Sequence, residues 1–509
     1  MHQRAAVASV RPVGRRAPCI IGVAQRTWHL SDHEQAPEPL AMWADVVRAA
    51  ANDAQAGRGD VLAAVEQLAV VYCMSWPYDD PVGRLAERLQ IAPAARTYSG
   101  IGGTVPQQLV STAAAAIAGG DLDVAVVCGA EALDTVRRLK KAGERPAWSH
   151  RHPDQQPFPF EAPFHPAEVA HEVFQAWLTF AVRDIARRAH RRTEPGPHRE
   201  QLGQVLAPMT EVAAANPHSW FPVERSAHEL ITPTPDNRLV GYPYTKQMVA
   251  VMDVDMGAAV ILASQDAADR LGVPADRRVY LRSSRYGTDP VYLAEHEDLW
   301  RSPAMSTVFA EALAGAGVAV EEVAHLDLYS CFASSVCFAC DALGIDPLTD
   351  PRSLTVTGGL PYAGGPASNY PSHAVASMVE VLRADPGSLG LVSGVGMHMT
   401  KHVAGLYSTD PSRGRPSVMA ATSTTEPVTV PITDRWDGSG TVAAYSVVHG
   451  RDGEPQWAVA VVDLPEEGGR AYARADGDPG LLGDMEAHEW VGRPVTLRAD
   501  GEGVNRLSA

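Results

Sequence analysis

Short apolar runs alternate with helically spaced stretches through most of the first 408 residues. Cys19–Val23 reads as a buried strand that ends in the polar Ala24–Thr27. Leu40–Ala54 follows at helical spacing, with Met42, Val46, Val47, Ala50 and Ala54 on one apolar side. Val65–Tyr72 is a second strand, Gly83–Leu89 a short helix and Asp123–Cys128 a third strand. Val105–Ala118 between them is a helix of small residues whose run of alanines allows close backbone packing, which predicts a central, buried position. Residues 134–235 break this rhythm with Pro, His, Arg and Phe, and carry helices over Glu168–Arg188 and Glu200–Ala214. Gln247–Ser264 returns to the core as a loop or helix running into a buried strand. A second copy of the first half then begins near Val279–Ser283. Val323–Leu328 echoes Val65–Val70 and Leu389–Val395 echoes Asp123–Ala130, the mark of an internal duplication.

The texture changes after Ser408. TDPSRGRPS is linker-like, and period-two strands follow at Val428–Ile432, Thr441–His449, Trp457–Asp463, Arg470–Arg474 and Pro494–Arg498. With a hairpin turn at Arg451–Glu454 and one helix near Leu481–Glu489, these predict a small antiparallel barrel of roughly six strands.

Composition narrows the function. The chain has 509 residues, 45% hydrophobic and 20% charged, the balance of a globular protein with large cores. A net charge of −17 excludes nucleic acid as a partner, because that binding needs Lys and Arg against phosphates. No apolar run reaches spanning length, so no membrane insertion is expected. Six cysteines without a disulfide-like framework suit a reducing cytoplasm. His150, His152, His165 and His171 lack the Cys or carboxylate partners of a zinc site, so no metal is expected. Cys337 and Cys340 form a CxxC on an apolar helix, Phe332–Leu343, and read as buried small side chains.

The candidate chemistry gathers on Thr355–His373, a Gly/Pro-rich loop with a strand-like lead at Leu354 and Val356 and an apolar helix behind it. Glycine lets backbone approach a ligand, and a loop entering a helix presents N–H groups that can hold an anion. A second glycine turn, Tyr98–Thr104, opens the small-residue helix.

With these loops placed, the chain resembles the thiolase superfamily, nearest the sterol-carrier-protein-type thiolases. The likeness rests on Ile20-Ile-Gly-Val23, Gly129-Ala-Glu-Ala132, Asn216-Pro-His-Ser219, Asp255–Ser264, Tyr329-Ser-Cys-Phe332 and Gly358-Gly-Leu360 through Gly364-Gly-Pro366, in that order over residues 18–408. It implies an α/β thiolase fold, two βαβαβαββ halves in a five-layer α/β/α/β/α sandwich, followed by the small antiparallel barrel. The implied organisation is a disordered leader (1–17), an N-terminal half (18–275) with the 134–235 excursion, a C-terminal half (276–408) and an OB-like barrel (415–509). That barrel is similar to small OB-type partner proteins of thiolase-like acyltransferases and steroid side-chain aldolases, through Ala444-Tyr-Ser-Val-Val448 and Trp490–Val495.

The family's chemical groups are absent. Its nucleophilic Cys falls at Gly100, its Gly-His-Pro histidine at Gly365, and its second Cys within Leu391–Gly396, which has none. An acyl-cysteine mechanism is therefore not expected. The resemblance implies an acyl-CoA or acyl-carrier thioester as substrate, with coenzyme A as part of it and no tightly bound cofactor. It leaves a homodimer open, and it leaves open whether the chain is an acyltransferase, a C–C bond-forming or cleaving enzyme such as a retro-aldolase, or an inactive acyl-CoA-binding scaffold. Tyr329, His373, Cys331 and His402 are the expected catalytic groups. Tyr329 is the expected acid/base, with Tyr370 as the other candidate base of a retro-aldolase, and His373 is expected to orient the tyrosine or bind the thioester oxygen. Ser99, Gly102, Gly103, Gly358, Gly359, Gly364, Gly365, Asn369 and Tyr370 are the expected substrate-binding residues, with the Gly358–Gly365 amides as oxyanion donors. His398 and Lys401 follow the last loop beside His402.

Overall fold

The computed structural model describes residues 14–29, 34–154, 164–411, 417–423, 428–465 and 468–508. Most of the expected leader, residues 1–13, lies outside them, whereas Arg15 and Arg16 sit on a turn and pair with Asp266 and Asp123.

In chain order the first half contains β1 (Pro18–Thr27), α1 (Pro39–Asp53), β2 (Gln67–Val70), α2 (Pro81–Leu89), β3 (Ala95–Tyr98), α3 (Val105–Gly119) and β4 (Val124–Ala132). The excursion holds α4 (Leu133–Lys141), α5 (Pro166–Ala170), α6 (Ala176–His190), α7 (Pro195–Ala215) and α8 (Ala227–Ile231), and β5 (Leu239–Gly241) and β6 (Tyr244–Thr245) follow it. The half closes with β7 (Asp255–Ser264) and α9 (Gln265–Leu271). The second half runs β8 (Val279–Thr288), α10 (Pro303–Ala316), β9 (His325–Asp327), α11 (Ala333–Leu343), α12 (Tyr370–Ala384), β10 (Leu389–Gly396), β11 (Lys401–Ser408) and β12 (Ser417–Ser423). The C-terminal region has β13 (Gly438–His449), β14 (Pro455–Asp463), β15 (Arg470–Asp476), α13 (Pro479–Ala487), β16 (Pro494–Ala499) and β17 (Asn505–Ser508).

The strand order exposes the duplication. The first half reads β3-β2-β4-β7-β1 and the second β9-β10-β11-β8, the same sequence with the outermost member missing. That member would be the strand expected at Leu354–Val356. These residues form no strand, because the side chain of Asp327, rather than a neighbouring strand, takes the Val356 amide. The halves meet where Cys19 and Ile20 pair with Tyr280 and Val279.

Helices α3 and α12 touch each other and strands of both halves, forming the middle layer; α1 and α2 cover one outer face, α10 and α11 the other. The alanines explain the position of α3: Ala113 and Ala114 are fully buried with Val110 and Ile117. At the close approach of β11, a side chain on Gly405 would fall 2.6 Å from Gln107. The five-layer α/β thiolase fold is thus present.

The C-terminal barrel closes with five strands, β13-β14-β15-β17-β16 and back to β13, rather than six. Val428–Ile432 makes only isolated bridges from Thr429 and Ile432, whereas β17 completes the barrel. Its sheet extends into the body, because β5, just past the excursion, pairs with β13 at Gly241 and Val448. Body and barrel also share one apolar cluster, with Leu178, Val182, Leu293 and Leu299 against Val448, Val459, Val461 and Tyr472. Before the barrel, β12, at the start of the range expected to be barrel, instead adds a parallel strand to β8 of the body.

Candidate functional site

Asp327 ends β9 inside the protein, and its fully buried carboxylate gathers the glycine loop. It accepts from the Thr355 and Thr357 hydroxyls (2.9 and 3.0 Å), the amides of Val356 and Thr357 (3.0 and 3.2 Å) and the Tyr370 phenol (3.0 Å). Burial pushes its pKa up while these donors pull it down, and burial prevails. The signal for it in the chain is a lone acid inside the apolar VAHLDL strand.

The loop backbone is pinned. Gly358 has φ +106°, and a Cβ there would fall 2.5 Å from Ala213 of α7. At Gly364, also φ +106°, it would fall 2.6 Å from Met256 Sδ. Most loop amides are consumed internally. Gly358 donates to Thr355 Oγ1, Gly359 to Thr357 Oγ1, Leu360 to Ser330 Oγ and Gly365 to the Val251 carbonyl. The expected row of oxyanion donors is therefore corrected, since those N–H groups hold the loop itself.

Tyr329 stands over the other glycine turn. A Cβ on Gly103 would meet the Tyr329 hydroxyl at 2.4 Å and the Val395 carbonyl at 2.3 Å, so only glycine fits beneath the phenol. The ring packs edge-on against Tyr370, centroids 5.5 Å apart. The Tyr329 hydroxyl has no hydrogen-bond partner among the described residues. Burial pushes its pKa well above the ordinary phenol value, so it stays protonated and acts as a donor, not as a resting base. Gly102 donates to Ser368 Oγ (2.9 Å), which ties this turn to the loop before α12. Ser99 accepts from the Tyr72 amide and donates to the Gly100 carbonyl, so its hydroxyl is committed to shaping the turn. At Gly100 the chain is exposed, and a Cβ would meet nothing within 4 Å.

The remaining expected residues divide. Cys331 is buried behind Tyr329, its thiol pushed up to about 12 by burial, and its carbonyl accepts from Ala250. Asn369 donates to the Gly129 carbonyl (2.8 Å), and its Oδ1 is buried without a partner. His373 does not orient the tyrosine: its Nδ1 meets Gln25 Oε1 at 3.2 Å, and burial lowers its pKa to about 3. His402 belongs to another cluster, paired with Asp289 (2.9 Å) beside Ser302 (3.1 Å). That pairing outweighs burial and holds the Asp289 carboxyl well below its usual range. Tyr370 is spent on Asp327 and Thr357 (2.6 Å). Cys337 and Cys340 are buried on α11. His165 caps α5, and His171 accepts from the Asn505 amide. Among the described residues no three metal-capable side chains cluster.

A cleft of about 620 Å³ opens against the glycine loop, lined by Trp220, Phe221, Arg225, Lys246, Val251 and Tyr362. The Tyr362 hydroxyl is buried there without a hydrogen-bond partner. One wall is the Lys246–Val251 strap, which leaves β6, bonds Cys331 through Ala250, and bonds Leu360 and Gly365 through Val251. Arg225 and Lys246 were not anticipated; each is an isolated cation in a polar loop, which carries no pattern.

The model of the thiolase-like protein type 1 additional C-terminal domain matches residues 421–502. The chain is similar to a monomeric SCP2-thiolase-like protein type 1 from Mycobacterium smegmatis at 30% identity, covering 98% of this chain and 100% of that one, with a TM-score of 0.81. Similarity in fold alone extends to an Ltp2–ChsH2(DUF35) aldolase (17% identity, 77% and 97% covered, TM-score 0.56). It extends likewise to the dimeric peroxisomal thiolase of Saccharomyces cerevisiae (13%, 78% and 98%, 0.56). No curated protein matches the sequence.

Proposed function

The chain belongs to the SCP2-thiolase-like proteins of type 1, and from that premise we propose that it binds an acyl-CoA or related thioester and makes or breaks a C–C or acyl bond without an acyl-cysteine. The observation that carries this reading is the Tyr329 phenol, buried, protonated and unpartnered above the glycine turn whose Gly100 leaves open space. A protonated donor in a water-poor site stabilises the negative charge that develops on a thioester enolate or a β-alkoxide. Arg225 and Lys246, with Arg137 and Arg138, outnumber Asp134, Asp236 and Asp253 at the cleft and suit the phosphates of coenzyme A, and Trp220, Val251 and Tyr362 suit its pantetheine arm. Coenzyme A enters as part of the substrate, and the reading needs no tightly bound cofactor.

Retro-aldol cleavage of a β-hydroxyacyl thioester is the reaction this arrangement favours, since it requires a hydrogen-bond donor at the thioester oxygen and no nucleophile. The similarity to an aldolase is one of fold and only accompanies this reading. Among the described residues no helix is long and apolar enough to cross a membrane. Six free, buried cysteines support a cytoplasmic setting. The monomeric M. smegmatis relative supports a monomer, checked by light scattering.

The test is incubation with a panel of β-hydroxyacyl-CoA and acyl-CoA esters, scored by mass spectrometry for shortened acyl-CoA, free CoA and carbonyl product. Wild type turns over at least one member, and Tyr329→Phe lowers kcat at least about a hundredfold with an unchanged melting temperature. Near-normal turnover by the variant would remove Tyr329 from the mechanism.

A further inference from the structure

If Tyr329 is the donor, something else must accept a proton, and His218, His373, His398 and His402 lie near the loops; His218, half-buried on the Asn216–Ser219 turn with its pKa lowered by burial, sits beside His373. His373 Nε2 is fully buried, and its Nδ1 is held by Gln25. His402 uses Nε2 on Asp289 and Ser302, and its Nδ1 is buried. His398 differs. Its Nδ1 lies 2.7 Å from Thr179 Oγ1, while Nε2 has no partner among the described residues and the side chain is partly exposed.

The Thr179 hydroxyl has one hydrogen, and the Ala176 carbonyl 3.0 Å away in α6 is there to accept it. With the hydrogen so placed, the Thr179 oxygen accepts from the ring, which puts the imidazole proton on Nδ1 and the lone pair on Nε2. The ring is braced edge-on by Phe164, centroids 5.3 Å apart at 86°. Its backbone is unusual too. Met397 and Met399 on either side adopt left-handed φ of 54° and 61°, a strained conformation for side-chain-bearing residues that concentrates at functional sites. The Met399 carbonyl is gripped by the buried Arg183 guanidinium at 3.0 Å, which holds the loop in that shape. No charged side chain bonds the ring itself among the described residues, and burial lowers its pKa to about 4, so it is neutral at pH 7.

His398 is also linked to the Tyr329 turn through its neighbours. It lies two residues beyond Gly396, where a Cβ would be 3.5 Å from Thr104 Oγ1. Its partner Thr179 precedes Phe180, which packs on Phe332 of the Tyr329–Phe332 turn at 4.6 Å. The loop carrying His398, the turn under Tyr329 and the start of α11 thus converge.

We infer that His398 is the proton acceptor of the site, with Nε2 facing the substrate and Thr179 as its positioning residue. This rests on the thioester reading above. In a retro-aldol cleavage, Nε2 takes the β-hydroxyl proton and the Cα–Cβ bond breaks as the carbonyl forms. The electron pair becomes a thioester enolate whose oxygen receives the Tyr329 hydrogen bond. The imidazolium then returns its proton to Cα, so the imidazole is regenerated and nothing is oxidised or reduced.

Two measurements on the full chain test it. In ¹⁵N-histidine NMR, with the resonance assigned by its loss in His398→Gln, His398 is expected as the neutral Nδ1–H tautomer from pH 8 to about 5. Thr179→Val is expected to mix the tautomers. An Nε2–H tautomer, or a charged ring at pH 7, would overturn the inference whatever the variants' stability. With any panel thioester that wild type turns over, His398→Gln should lower kcat about a hundredfold or more and leave KM within about threefold. Turnover surviving in His398→Gln but lost in Tyr329→Phe overturns the role of His398 and leaves the thioester reading standing. Absence of turnover across the panel in wild type sinks both.

Discussion

Replacing Gly100 by cysteine tests whether the turn opens where the thioester is proposed to lie. A Cβ at Gly100 meets nothing within 4 Å and its backbone is not left-handed, so the variant should keep its stability within about 0.5 kcal/mol. The new thiol has an ordinary environment, with a pKa near 8.5 and roughly 3% thiolate at pH 7. The six native thiols are all buried. Cys331, two residues after Tyr329, is pushed up to about 12, which leaves about one part in 10⁵ as thiolate at pH 7. Thiolate population alone therefore separates the new cysteine from Cys331 by roughly three orders of magnitude in rate, before burial slows the native thiols further. The assay is 5,5′-dithiobis(2-nitrobenzoate) labelling of native protein at pH 7, with a urea-denatured sample to count all thiols. Wild type should show no fast equivalent and Gly100→Cys one. Gly103→Cys is the control: its Cβ would fall 2.3 Å from the Val395 carbonyl, so this variant should be destabilised and perturb Tyr329. A Gly100→Cys thiol as slow as the native ones, or a native thiol that labels as fast, would refute the open turn.

Gly358→Ala combines a positive φ with a 2.5 Å contact to α7, and is expected to cost about 2–4 kcal/mol in urea unfolding; a loss under about 0.5 kcal/mol would contradict the pinned loop. His373, with its folded pKa lowered to about 3 from 6.5, binds a proton in the unfolded chain first, so stability is full above pH 6.5 and falls as pH drops towards 3. His373→Asn should remove about 2 kcal/mol of that loss between pH 6.5 and 5, and parallel stability curves for the two proteins would refute it. Deleting residues 412–509 uncovers the shared apolar face and strips the buried Arg188 of Tyr445 and Glu489. The truncated protein should melt earlier and bind a hydrophobic dye, and an unchanged melting temperature would show that the barrel is independent.

Much of the architecture was legible in the chain because it is local. A buried strand writes itself as a short apolar run, and α3 declares its central place through consecutive alanines. The repeated strand patterns announced two halves. Glycines at 103, 358 and 364 marked close approaches before the opposing atoms were known. What the sequence could not carry were partners distant in the chain. Asp327 collects donors from residues 355–357 and Tyr370. His398 meets a threonine 219 positions away. The missing third strand of the second half, the strand at Lys401–Ser408 and the closing strand Asn505–Ser508 depend on which edge is free to pair. So do the roles: the loop amides read as available, but the hydroxyls of Thr355, Thr357 and Ser330 take them. Tyr329 read as a base until burial raised its pKa. Hydrogen bonding and desolvation act between groups that only folding brings together, so the residue types could be read in advance and their protonation and partners could not.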